Sequence, residues 1–135
     1  MLVYAHREDA THDAECREWV ESMVNGDEAY GLSELVLSGF LRVVPHPTVF
    51  AKPSPLAAAL EYTEQMRARP NCVPAAPGRR HWDIFCGLCV QAGAKGHLVP
   101  YAYLAAMAIG SGCEWVTTAR DFSRFKGLRW PHPLR

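Results

Sequence analysis

The 135-residue sequence predicts an α/β fold, a short parallel sheet with helices on both faces. Three observations predict it. Short apolar, β-branched runs alternate with longer segments whose apolar residues recur at helical spacing. The segment VPYAYLAAMAIGSG (99–112) is apolar nearly all round, so a helix there has to be covered on most sides. The stretch EWVTTARDF (114–122) runs through Trp115, Val116, Thr117 and Thr118 as a buried strand and then breaks into Arg120 and Asp121. Parallel sheets gather their functional groups at such strand ends.

The elements follow in order. LVYAH (2–6) reads as an opening strand whose first half is missing. THDAECREWVESMVNG (11–26) predicts a helix with Cys16, Trp19, Val20 and Met23 on one face, Thr11 or Asp13 as cap and Asn25-Gly26 as stop. Ser33 caps a second helix whose apolar stripe is Leu32, Leu35, Val36, Phe40 and Val43. Glu34 sits in its first turn, off that stripe, where free N–H groups favour negative charge. PHPTVFAKPSP (45–55) is a proline-punctuated loop. Ser54-Pro55 then reads as the cap and first residue of a third helix, running to about Arg69. NCVPAAPG (71–78) holds a short buried strand around Cys72 and Val73. A fourth helix runs through Trp82, Phe85, Leu88 and Cys89 to a stop at Gly93, and GAKG (93–96) is a helix–helix turn. The fifth helix has Pro100 at its start and Gly112 past its end. GLRWPHP (127–133) supplies a small edge strand before its prolines end it. This order places Tyr4 to Arg7, the loop after Val73, and Ala119 to Asp121 at one sheet edge.

Composition narrows the function. Lys plus Arg and Asp plus Glu are both 14, so bulk attraction to a polyanion is excluded while a local basic patch is not. A hydrophobic share of 49% with 21% charged residues describes a folded chain, one domain spanning 1–135. No secretory pattern opens the sequence, and no apolar run approaches the ~20 residues of a membrane span. Cys16, Cys72, Cys86, Cys89 and Cys113 form no disulfide scaffold, which predicts a reduced, cytoplasmic protein.

Cys86 and Cys89 lie inside a helical pattern and read as core thiols rather than a metal or redox pair. His6 and His97 fall near the strand-end edge and read as structural. Glu34 and Asp121 are the candidate carboxylates. A metal-dependent phosphodiesterase needs several carboxylates converging on Mg²⁺ or Mn²⁺, so this pair gives at best an incomplete site. Arg79, Arg80, Lys95, Arg120, Arg124, Lys126 and Arg129 surround Phe125 and Trp130. That mixture suits phosphate contact and base stacking on single-stranded RNA, or else a solvated basic face.

LVYAHRED, GLSELVLSGFLRVV with PHPTVF behind it, RHWDIF, GHLVPYAYLAAMAI and WVTTARDFSRF follow one another at a spacing that resembles a PIN-domain toxin of the VapBC type, over nearly the whole chain. The resemblance implies a three-layer α/β/α fold and a Mg²⁺- or Mn²⁺-dependent endoribonuclease that cuts structured RNA such as tRNA. It also implies a homodimer and a VapB antitoxin that wraps the toxin and blocks its acidic pocket, with DNA reached only through the antitoxin. Residue by residue, the family's helix glutamate falls on Glu34 and its second strand-end aspartate on Asp121, the implied catalytic and metal-ligating residues, with Arg120, Arg124 and Lys126 on RNA phosphate.

The helix-start acid after LVP falls on Tyr101, and the strand-end acid after TT falls on Ala119. The N-terminal acid would lie ahead of Met1; a start several residues upstream, with Met1 read from a GTG valine codon, would restore it. Two of the five implied carboxylates remain, so weak metal binding and weak or abolished cleavage are expected. The alternative is a catalytically inactive PIN-domain protein that binds a VapB-like antitoxin or an active toxin.

Overall fold

Apolar residues at helical spacing form α1 (Asp13–Val24), where Val20 is buried as the sequence pattern requires. The computed structural model describes residues 13–43, 55–117 and 119–131, with 13–17 and 43 described by backbone alone. The opening strand, His6, the proline-punctuated loop and the Tyr4 to Arg7 part of the expected sheet edge lie outside the described residues. The fold is α/β and PIN-like. It divides into two compact units, one from Met1–Pro74 and one from Ala75–Pro133.

In the first unit β1 (Tyr30–Ser33) pairs with β2 (Cys72–Ala75) in a two-stranded parallel sheet. The Tyr30 N–H donates to the Asn71 carbonyl at 3.0 Å. Sequence reasoning misses β1 because four residues containing Gly31 show no alternation. The strand ends directly in α2 (Glu34–Val43), and Ser33 serves both elements. Its Oγ accepts the Leu35 N–H at 3.2 Å, which is the predicted cap.

The predicted stripe of α2 needs one correction: Leu35 is 52% exposed, while Leu37, absent from that stripe, is 5% exposed. The buried positions Ser33, Leu37 and Phe40 step by four and three residues, and Leu35 lies about 200° around the helix from Leu37. Phe40 meets Ala59 and Tyr62 of α3 (Leu56–Arg67), with the Phe40 and Tyr62 ring centroids 5.6 Å apart. Pro55 is the N-cap, not the first helical residue, because its ψ of 142° is extended. The helix stops at Arg67, earlier than predicted.

Val20 of α1 packs on Met66, whose carbonyl accepts the Tyr30 hydroxyl at 2.7 Å. The Asn71 side-chain amide donates to the carbonyls of Gly26 at 3.1 Å and Glu28 at 3.0 Å, tying the turn after α1 to the start of β2. In β2 the expectation of a buried Val73 is overturned: Val73 is exposed, and Cys72 and Ala75 are half-buried. Burial pushes both the Tyr30 phenol and the Cys72 thiol above their ordinary pKa values.

The second unit is built on α4 (His81–Ala92) and α5 (Leu98–Gly110), followed by a 3₁₀ turn (Arg120–Arg124). Ala102, Ala105 and Ala106 of α5 are fully buried; their small side chains let the helices approach closely, which is how an all-apolar helix is covered. Phe122, Phe125 and Leu128 complete this core.

Both helices end alike. Gly93 (φ 60°) donates to the Val90 carbonyl and Ala94 to that of Cys89; Gly112 (φ 68°) donates to Ile109 and Cys113 to Ala108. These paired bonds need a left-handed residue, which explains the glycine stops. Cys86 and Cys89 are half-buried free thiols on α4, and burial raises the Cys89 pKa first, helped by Cys86.

Trp82, part of the apolar pattern that predicts α4, is 65% exposed. His81 takes the inward place instead, its Nε2 2.9 Å from the Tyr103 carbonyl and its ring edge-on to Tyr103. Residues 114–117 form no β-strand. Trp115 N–H donates to the Arg129 carbonyl at 2.7 Å and Thr117 N–H to that of Pro131 at 3.4 Å. This is a parallel register with GLRWP, left one-sided because Pro131 has no N–H to return. Among the described residues no helix is long and apolar enough to cross a membrane.

Candidate functional site

The candidate residues fall in both units. Glu34 is the first residue of α2, placed there because Ser33 ends β1 and caps the helix in one step. Its side chain is 87% exposed, with Oε1 3.7 Å from the Arg67 guanidinium, which also lies 3.5 Å from Glu64. Exposed pairs of this kind contribute little to stability, at most about 1 kcal/mol. Glu34 is therefore an accessible carboxylate at the positive end of a helix.

Asp121 lies in the 3₁₀ turn, and its Oδ2 is 2.8 Å from His97 Nε2. His97 is the N-cap residue of α5. Sequence reading took it for a structural histidine, since a separation of 24 residues carries no spacing signal. One helical turn further on, the Tyr101 ring stands edge-on to His97 at 5.4 Å. The same ring stacks on Phe122 at 4.5 Å and 15°. Phe122 is buried beneath Trp115 and Phe125, so the turn bearing Asp121 is anchored by the residue next to it. Ala119 precedes the turn in extended conformation, half-buried against the core, and its N–H donates to Thr117 Oγ1 at 3.0 Å.

The predicted phosphate ligands Arg120, Arg124 and Lys126 are exposed and form no ion pair among the described residues. Gln91 of α4 fixes the segment that carries two of them. Its Nε2 donates to the Arg124 carbonyl at 3.0 Å, and its Oε1 accepts the Lys126 N–H at 3.1 Å. Sequence reading missed Gln91, which looks like any surface polar residue. Phe125, expected to stack on bases, is 2% exposed and belongs to the core. Trp130 is half-buried against the same core, and Arg129 donates to the Gly112 carbonyl.

Mg²⁺ and Mn²⁺ favour clusters of oxygen ligands, with carboxylates supplying the charge. Around Asp121 the neighbouring groups are an imidazole, a phenol and, at position 119, a methyl group. Among the described residues no three of His, Cys, Asp and Glu gather to hold a metal ion. The described donor set does not fit a multi-carboxylate Mg²⁺ or Mn²⁺ site.

No protein-family model matches the chain. VapC ribonuclease Mb2897 of Mycobacterium bovis is 40% identical over 134 residues, 99% of this chain and 91% of the relative. Ribonuclease VapC31 of Mycobacterium tuberculosis is 37% identical over 133 residues, 98% and 94% of the two chains. The chain belongs to the VapC ribonuclease family. Ribonuclease VapC25 of the same organism, 35% identical over 133 residues, agrees. In this VapC-type toxin Asp121 is held by His97, and Tyr101 is stacked on the neighbouring Phe122.

Proposed function

We propose that this VapC-family chain is a cytoplasmic toxin that binds structured RNA, tRNA being the class, and cleaves it with Mg²⁺ or Mn²⁺ far more slowly than a chain with a full acidic set. The observation that carries this reading is the Tyr101 ring stacked on Phe122 beside an Asp121 already bonded to His97. The position where the family pattern puts a second acid is filled by an aromatic ring that is part of the core packing. Tyr101 supplies no carboxylate oxygen, the ligand by which such cations are usually gathered.

Glu34 and Asp121 are the carboxylates assigned to hydrolysis. His97 orients the Asp121 carboxylate, and Arg120, Arg124 and Lys126, on a segment fixed by Gln91, hold RNA phosphates. A VapB-like antitoxin is the cognate partner, the active form is a homodimer, and DNA is reached only through the antitoxin.

A second reading is favoured by the lack of a three-ligand cluster among the described residues. In it the chain keeps the fold and binds a VapB-like antitoxin or an active toxin without hydrolysing RNA. Incubating the purified chain with total tRNA and either metal separates the two. Slow cleavage is expected, and it should disappear in Glu34→Gln and in Asp121→Asn. No cleavage at any metal concentration leaves the binding-only reading, and cleavage that survives both substitutions removes the site assignment.

A further inference from the structure

Phe125, one of two aromatic residues expected to stack on RNA, is in the core, while Trp82 of the apolar α4 pattern is on the surface. Trp82 is flanked by an exposed pair of arginines. The His81 N–H donates to the Gly78 carbonyl at 3.2 Å, closing a turn with Arg79 and Arg80 at its two corners. Arg80 has φ −93° and ψ 0°, as the second corner of such a turn requires, and makes no side-chain cap bond to α4. Neither guanidinium is in an ion pair among the described residues. Asp83, in the first turn of α4, complements the helix start and leaves the three-residue group net positive.

The indole rests on a fixed floor. Trp82 lies 5.3 Å from the Phe85 ring, which packs edge-on to Tyr103 at 5.6 Å and parallel to His81. His81 is buried and bonded to the Tyr103 carbonyl, so this aromatic group is held from below while the top of the indole faces solvent. The exposed Trp82 ring and two guanidinium groups outside any ion pair among the described residues lie within four residues of one another, so one ligand can meet both a flat apolar face and positive charge. This charge and aromatic character match one occupant, an unpaired nucleotide with its base on the ring and its phosphates on the arginines.

We infer that Arg79, Arg80 and Trp82 form a stacking platform for an unpaired segment of RNA, apart from the carboxylates assigned to hydrolysis. The inference rests on the RNA-binding half of the proposed function and is independent of cleavage, so it is read in EDTA. The probes are a labelled oligouridine strand and bulk tRNA, titrated with the full chain. Trp82→Ala is expected to weaken oligouridine binding about tenfold, the usual effect of losing one base–aromatic stack, and Trp82→Phe to retain most of it. The double variant Arg79→Ala/Arg80→Ala should reduce the slope of log K against log salt by about 1.4, at roughly 0.7 per single-strand phosphate contact.

Wild-type affinity in Trp82→Ala overturns the platform, whatever the cleavage assay shows. A change in sedimentation of Trp82→Ala with RNA binding intact assigns the face to a protein contact instead. Absence of any RNA binding by the wild-type chain overturns the platform and the RNA-binding reading together, while loss of cleavage alone touches neither.

Discussion

Tyr101→Asp combined with Ala119→Asp is expected to raise metal-dependent tRNA cleavage by at least about 100-fold, since a properly held cation contributes several kcal/mol to phosphoryl-transfer chemistry and each tenfold takes about 1.4 kcal/mol. The expectation follows from where the two side chains are. Tyr101 is one turn from His97, which contacts Asp121, so an acid at 101 joins the same patch. Ala119 is two residues from Asp121 in the backbone that leads into the 3₁₀ turn. The double variant forfeits the Tyr101–Phe122 stack, a loss of about 1 kcal/mol, which the fold tolerates. Initial rates on tRNA for each single variant, the double and the double with Asp121→Asn decide the matter. The triple variant should lose the gain and fall to the wild-type rate or below it. A folded double variant that cleaves no faster than wild type would show that the missing acids are not what limits this chain.

Phe122→Ala is expected to have the largest effect on stability, a loss of about 3–5 kcal/mol from a total of the order of 5–15. Phe122 is 2% exposed, stacked by Tyr101 and packed against Trp115 and Phe125. Removing its ring leaves a cavity that α5 cannot fill, because its nearby buried positions are alanines on a rigid helix. Phe122→Leu keeps most of the volume and should cost no more than about 1.5 kcal/mol. Urea denaturation followed by far-UV circular dichroism measures both. A loss under about 1 kcal/mol for the alanine variant would mean that the core of this unit is not centred on the ring next to Asp121.

Much of this fold was legible because its signals are local. Gly93 and Gly112 end their helices for a reason visible in sequence, the need for a left-handed residue, and Ser33 caps α2 as a serine before an apolar run does. The half-buried CGLC thiols follow from helical spacing. What escaped was decided by tertiary competition. Leu35 and Leu37 are equally apolar, and only the direction in which β1 delivers the chain into α2 selects Leu37 for the core. Trp82 is the larger apolar residue, yet His81 wins the inward place because its imidazole meets both the Tyr103 carbonyl and the Tyr103 ring. β1 itself is too short to show a period.

The site was legible by a different route. Tyr101 and Ala119 stand where the resemblance implies acids, and Asp121 is the acid that follows the apolar EWVTTA run. Its partner His97 and the Gln91 brace on Arg124 and Lys126 could not be, since both contacts join residues far apart in sequence through ordinary polar side chains.

The most direct measurement is a titration of the purified chain with Mn²⁺, followed by calorimetry. With so few carboxylates, binding should show no saturable site tighter than about 1 mM, since affinity follows the number and charge of the ligands. Saturation at one equivalent with a Kd on the order of 10 µM, abolished by Asp121→Asn, would contradict the account.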